Sequence, residues 1–295
     1  LINGIINVYK EKGYTSFDVV ARMRGIMKQK KIGHTGTLDP DAEGVLPVCL
    51  GNATKVCGFL TDKRKEYVAE CLLGVTTDTQ DMTGTVLTRK NVEVTESAVR
   101  CAVMGFVGPC EQIPPMYSAI KVGGKRLYEI ARRGEEVERK PRLITIYEIE
   151  ILKVDLPIVR FRVVCSKGTY IRTLCHDIGE ALVCGGAMLS LVRTKVDQFT
   201  LDKALKLDEI EKLVQEEKTD GIITPVDALF LKYPGHTVKK EAVVPLSNGN
   251  TLTVSSFEAP SPTGEKIRVY DGDGRFYGLY IRTEQGIYKP LRMFL

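Results

Sequence analysis

No run of roughly 18 consecutive apolar residues occurs in the 295-residue sequence, so no stretch reads as a membrane-crossing helix. Histidine is scarce: only His34, His176 and His236 are present. The eight cysteines contain no CxxC pair, and Cys175–His176 has no second pair to complete a tetrahedral set, so no zinc site is expected. The cysteines stand at 49, 57, 71, 101, 110, 165, 175 and 184, several inside apolar runs such as GVLPVCL and VRFRVVCS. They read as reduced, buried thiols. The opening LINGIINVYKEKG lacks a basic leader, an apolar core and a cleavage site, which fits a cytoplasmic protein. No GxxxxGK[ST] phosphate cradle, internal repeat or low-complexity tract is visible. Neither charge sign dominates: 42 Lys and Arg against 37 Asp and Glu leave +5, which permits a nucleic-acid partner without requiring one.

What is present is a mixed succession of strands and helices. GIINVYK reads as a strand, and residues 15–29 as a helix with Phe17, Val20, Met23 and Met27 on one face. Thr15 and Asp18 have capping-box spacing, with Asp replacing Glu. GVLPVCL, KEYVAECLLG, LITIYEIEIL and VRFRVVCS read as strands. A short helix is expected around ATKVCGFLT and longer ones over 95–108, 125–136, 169–182 (Thr169 as N-cap) and 208–217. Residues 76–84 form a polar, turn-rich loop. From 236 onward, runs such as TLTVSSF and KIRVYDGDGRFYGLYI, with their Asp-Gly pairs, indicate short strands and hairpins. The expectation is an α+β protein: a strand-rich mixed-sheet domain with flanking helices over 1–230, then a small β-rich domain over 231–295.

The stretch KIGHTGTLDPDAEGVLPVCLG, residues 31–51, carries the candidate chemistry. Asp39-x-Asp41-x-Glu43 imitates the start of a calcium loop, but the twelfth position is Leu50 where a bidentate Glu is needed. A phospho-aspartate pair usually follows a buried apolar strand, and GHTGTL is polar. Pro40 drives Asp39 into an extended conformation, and the run after Gly44 anchors the far end. Two readings stay open on the residues alone: a solvated turn, or a carboxylate fixed by its own backbone beside a core strand, as a nucleophile requires.

The loop GHTGTLDPDAEGVLPV closely resembles that of TruB-type tRNA pseudouridine synthases. So do KEYVAECLLGVTTDTQDMTG (65–84), QIPPMYSAIKVGGKRLYEIARRG (112–134), CSKGTYIRTLCHDIGEAL (165–182) and LSLVRT (189–194), in the same order. The segment from 231 sits where that family often has a PUA-like RNA-binding module. The resemblance implies isomerisation of uridine to pseudouridine in the T-loop of tRNA, at position 55, without metal or cofactor, by a monomer needing no protein partner.

By the same resemblance Asp39 is the nucleophile, attacking either C6 of the base or C1′ of the ribose. Arg172 pairs with it and keeps it ionised. Tyr67 packs against the base and aids removal of the C5 proton. Leu191 walls the pocket, Lys121 stands near it, and His34 fills the stack vacated when the target nucleotide flips out. Outside the motifs, Arg172 would read as a surface helix arginine, Tyr67 and Leu191 as core, and His34 as a solvated bystander. Residues 119–142 hold eight Lys or Arg against four Glu. With Tyr128 among them, they suit an arm along RNA phosphates through Arg132 and Arg133, or a solvated charged helix. Glu11 stands where the family usually has proline, which predicts a looser turn before the first helix. Two rival functions remain: an RNA-binding or tRNA-folding protein without chemistry, and a guide-RNA-dependent synthase acting on ribosomal RNA.

Overall fold

In the computed structural model, which describes residues 1–259 and 262–295, the N-terminal apolar run forms β1 (Gly4–Lys10) and the capped stretch forms α1 (Ser16–Ile26). The capping box is made: Thr15 Oγ1 accepts from the Asp18 N–H at 3.0 Å and Asp18 accepts from the Thr15 N–H at 2.8 Å. The buried face of α1 is Val19, Val20, Met23 and Ile26. Phe17 is not part of it; its side chain stands 71% exposed, because the buried face is centred about a third of a turn away.

Then come β2 (Ile32–His34), β3 (Glu43–Leu50), a 3₁₀ turn leading into α2 (Cys57–Thr61), and β4 (Lys65–Leu73). The polar loop 76–84 is bracketed by β5 (Val75–Thr77) and β6 (Val86–Arg89), which pair. Helix α3 (Glu96–Met104) stops short of 108, and β7 (Gly108–Gln112) takes over. The helix expected over 125–136 shrinks to α4 (Leu127–Ala131). Gly123 and Gly124, with φ of +58° and +84°, turn the chain into a hairpin of β8 (Lys121–Val122) and β9 (Lys125–Arg126) instead.

Long strands β10 (Arg142–Asp155) and β11 (Ile158–Cys165) precede α5 (Ile171–Ala181). The N-cap of α5 is Tyr170, with no side-chain cap; Thr169 turns back to donate to the Ser166 carbonyl. β12 (Gly186–Val196), β13 (Phe199–Thr200), α6 (Leu207–Gln215) and β14 (Ile223–Thr224) follow. The C-terminal part contains β15 (Gly235–Thr237), α7 (Val243–Ser247), β16 (Lys266–Tyr270), β17 (Phe276–Arg282) and β18 (Tyr288–Met293). TLTVSSF is not a strand. The Thr253 N–H donates to Ser256 Oγ and closes a 3₁₀ turn, a local bond that competes with the ladder.

Ten strands make one sheet in the order β14-β1-β3-β12-β4-β11-β10-β7, with β2 on β3 and β13 on β12. It is mixed because β3 and β12 run parallel, Arg193 opposite Gly44, while the other neighbours are antiparallel. Gly44 has φ +106°, and a Cβ there would fall 2.2 Å from the Arg193 carbonyl oxygen; only glycine lets the strands approach so closely. Helices α1 and α6 pack on β1 and β3. Helices α3 and α5 pack on β4, β10, β11 and β12. A second sheet, β15-β16-β17-β18, encloses its own core of Val238, Leu246, Phe257, Ile267, Tyr280 and Tyr288. It meets the large sheet through Phe230, whose ring lies 5.1 Å from Phe59 and 5.8 Å from Phe294.

Candidate active site

The loop between β2 and β3 is held from three sides. Ser16, at the start of α1, accepts from the Leu38 N–H at 2.9 Å, and Leu38 itself is buried. Lys10, at the end of β1, is fully buried and donates to the carbonyls of Glu11, Tyr14 and Pro40. Burial brings the Lys10 ammonium down to about 8, opposed by the nearby Asp39, Asp41 and Glu43. Arg193, on β12, reaches across the parallel seam and donates to the carbonyls of Val45, Gly36 and Thr37. In the turn before α1 the Glu11 carboxylate pairs with Lys206 at 3.2 Å and the Gly13 N–H donates to the Pro40 carbonyl at 2.9 Å.

This frame presents the Asp39 carboxylate to Arg172 on α5. Nε lies 3.0 Å from Oδ2, and Nη2 lies 3.4 Å from Oδ1. Arg172 is 5% exposed and Asp39 keeps 41% of its side-chain surface open; the ion pair is walled on the arginine side and accessible on the carboxylate side. The guanidinium also donates to the Thr79 and Tyr117 carbonyls and lies 3.7 Å from Asp81. Asp81 is in turn fixed by Thr79 Oγ1 and by the N–H and hydroxyl of Thr83.

One buried cation therefore serves two carboxylates. Burial pushes the Asp39 carboxyl up and Arg172 pulls it back; Asp81 pushes up again, and the net direction is upward. The expectation that Arg172 favours the ionised form holds for its own influence, but burial outweighs it.

Tyr67 on β4 is directly opposite Arg193 on β12 and is buried. Burial raises its phenol, with the Arg193 guanidinium opposing, so it bears its proton at neutral pH and is suited to packing rather than to accepting a proton at rest. Leu191, two residues before Arg193, shares one apolar cluster with Tyr67, Leu38 and Ala42. His34 ends β2 half-buried; the Gly36 N–H donates to its Nδ1 at 3.3 Å. Burial, then Arg193, lower its pKa, which keeps the ring neutral. Phe17 approaches it edge-on at 6.3 Å.

The structure thus gathers Asp39, Arg172, Tyr67, Leu191 and His34 about one loop. Among the described residues no hydrogen bond or ion pair ties the Lys121, Arg132 or Arg133 side chain to it: they stand exposed on the arm, Arg132 over the Tyr128 ring at 5.4 Å. The arm touches the site through its base, where the Tyr117 carbonyl takes a hydrogen bond from Arg172. Sequence reasoning missed Asp81, Arg193 and the clamp formed by Lys10. The signals were in TTDTQDMTG, LSLVRT and VYKEKG, where each reads as an ordinary loop or strand charge until the fold buries it. Among the described residues no cluster of three His, Cys, Asp or Glu side chains is placed to hold a metal.

Residues 24–171 match the TruB family pseudouridylate synthase N-terminal domain, and residues 172–231 match a tRNA pseudouridylate synthase B C-terminal domain. The chain is 56% identical to tRNA pseudouridine synthase B of Lachnoclostridium phytofermentans, covering 100% of each. It is 40% identical to the Bacillus pumilus protein of the same name, over 99% of this chain and 98% of that one. Among solved structures, a Cbf5–Nop10–Gar1 complex contains a chain 30% identical with a TM-score of 0.72, covering 99% of this chain and 85% of that one. An H/ACA RNP bound to a substrate RNA containing 2′-deoxyuridine gives 27% identity and the same TM-score over the same shares. End-to-end identity of this extent, on a fold that sets an aspartate loop against a buried arginine, places the chain in the TruB family of pseudouridylate synthases, an isomerase family.

Proposed function

We propose that the protein converts a uridine in the T-loop of tRNA, at position 55, to pseudouridine, with Asp39 as nucleophile. The reading rests on one arrangement above the rest: a carboxylate fixed by a buried guanidinium on one side and open on the other. It is supported by the full-length relatives named tRNA pseudouridine synthase B.

The target base lies inside a stacked loop and must be flipped out, at a cost of a few kcal/mol. The neutral His34 ring takes the vacated stacking position, offsetting about 1–3 kcal/mol. Asp39 adds through one oxygen to C6 of the base or C1′ of the ribose. The N1–C1′ bond breaks, the base turns between Tyr67 and Leu191, and C5 bonds to C1′. The bond between Asp39 and the substrate carbon breaks, which frees the carboxylate unchanged; the C5 proton is lost to solvent and N1 takes one from solvent. Arg172, Asp81 and Arg193 hold Asp39 and Tyr67 in place. Arg132 and Arg133 on the arm meet phosphates, with Lys121 beside them. Residues 1–230 form the catalytic unit and 231–295 a PUA-like RNA-binding unit, acting as a monomer in the cytoplasm.

The test is Asp39→Asn, assayed for tRNA binding and, by mass mapping, for pseudouridine. Binding within a few-fold of wild type and no product are expected. Product from the variant overturns the nucleophile assignment; product at another nucleotide in the wild type overturns the substrate assignment.

A further inference from the structure

The exposed face of α1 is an unusual surface. Phe17 leaves a full phenyl ring in water, 71% exposed, at the helix end nearest the Asp39 loop, where burial would have been favourable. Its one aromatic neighbour among the described residues is His34, edge-on at 6.3 Å with the planes 77° apart. Ala21 and Arg24 follow Phe17 at four and seven residues, so the three share one stripe, and all are exposed. Past the helix end, Lys28, Lys30 and Lys31 are exposed as well.

The cations on this side differ from the arginine on the other. Arg22 is paired with Asp208 and Glu211 of α6. Among the described residues no carboxylate lies within ion-pair distance of Arg24, Lys28 or Lys30, and Lys31 donates to the Asn52 side-chain oxygen. From Phe17 to Arg24 the surface runs about 10 Å along the helix, and Lys28 and Lys30 follow its end. It is an apolar aromatic end at the site followed by uncompensated positive charge, the layout that single-stranded nucleic acid selects.

We infer that this face is a docking track for the RNA strand adjoining the target uridine: Phe17 and His34 form a two-ring corner that seats a neighbouring nucleobase, and Arg24, Lys28 and Lys30 receive that strand's phosphates. The inference rests on the function proposed above. It predicts a division of labour along α1. The ring contributes stacking, which does not depend on salt, and the cations contribute counterion release, which does.

The experiment uses the full chain and a synthetic T-arm stem–loop carrying 2-aminopurine on one side of the target uridine or, in a second preparation, on the other. Phe17→Ala is expected to weaken binding about tenfold. It should also abolish the 2-aminopurine quenching of one of the two RNAs and leave the salt slope unchanged, whereas Phe17→Tyr restores both affinity and quenching. The triple variant Arg24→Gln, Lys28→Gln, Lys30→Gln is expected to keep the quenching and to flatten the slope of log affinity against log salt by about two. Circular dichroism melts establish that each variant is folded. Wild-type binding and quenching in Phe17→Ala overturn the base seat, and an unchanged slope in the triple variant overturns the phosphate track. A wild type that binds the stem–loop but forms no pseudouridine overturns the proposed function instead, since the track is read from binding alone.

Discussion

Arg172 is the residue on which the state of Asp39 turns. Burial and Asp81 push the carboxyl up, and Arg172 is the largest influence holding it down. The proposed nucleophilic role requires Asp39 ionised, so on that proposal activity falls as the pH drops through the raised pKa, and the acid limb lies above the ordinary carboxylate range near 4. Arg172→Met removes the downward influence and leaves the upward ones, so the limb moves to higher pH. At neutral pH kcat is expected to fall by at least about tenfold while KM for tRNA stays within a few-fold, because the charge serves Asp39 rather than phosphate. A profile of kcat against pH checks this; a limb that does not move sinks the argument. The motif resemblance named both partners of this ion pair. It did not name Asp81, since nothing in TTDTQDMTG distinguishes a solvated loop aspartate from one folded against a guanidinium 91 positions further on.

At the scale of elements, the parallel contact between β3 and β12 joins the Asp39 loop to the strand of Leu191 and Arg193. Gly44 is the residue that allows it. Gly44→Ala adds a Cβ 2.2 Å from a backbone oxygen at φ +106°, where an L side chain is strained. The expected loss is at least about 3 kcal/mol of stability, seen as a lower urea midpoint, with activity lost even in the folded fraction because the strands part at the site. A variant of wild-type midpoint and turnover removes the seam from the account.

Strand alternation and capping chemistry made most elements readable: Thr15 and Asp18 cap α1 as their spacing implies. The misreadings have physical causes. Phe17 fits a helical period but falls outside the face that β1 and β3 cover. Lys125 and Arg126 fit a helix but are claimed by the turn at Gly123–Gly124. Pairing order in a ten-stranded sheet, with residues 186–196 inserted between 43–50 and 65–73, depends on contacts that no local pattern encodes.

For the whole molecule, the change in texture near residue 235 suggested a separable C-terminal unit, and the second sheet does have a core of its own. That unit nevertheless completes a cluster of the larger one: Leu279 and Phe294 are buried with Ile5, Val45, Phe199 and Phe230. Phe294 stacks on Phe276 at 5.5 Å and on Phe230 at 5.8 Å, and Lys55 Nζ donates to the Leu295 carbonyl at 2.8 Å. The residues matched by the family C-terminal domain, 172–231, supply β12 and β14 to the large sheet, so they belong to its hydrogen-bonded fabric.

Shared burial of this kind couples the two units, and the coupling can be measured. Phe294→Ala removes a ring from the junction, at about 3–5 kcal/mol for a buried phenylalanine. If the units unfold together, calorimetry shows one transition shifted downward as a whole, because stability lost at the junction is lost by both. If they are independent, the trace splits, the C-terminal transition falls, and the large sheet melts where it does in the wild type. The first outcome is expected: Phe230 lies against Phe59 of the large unit and against Phe294 and Phe276 of the small one, so the missing ring is felt from both sides.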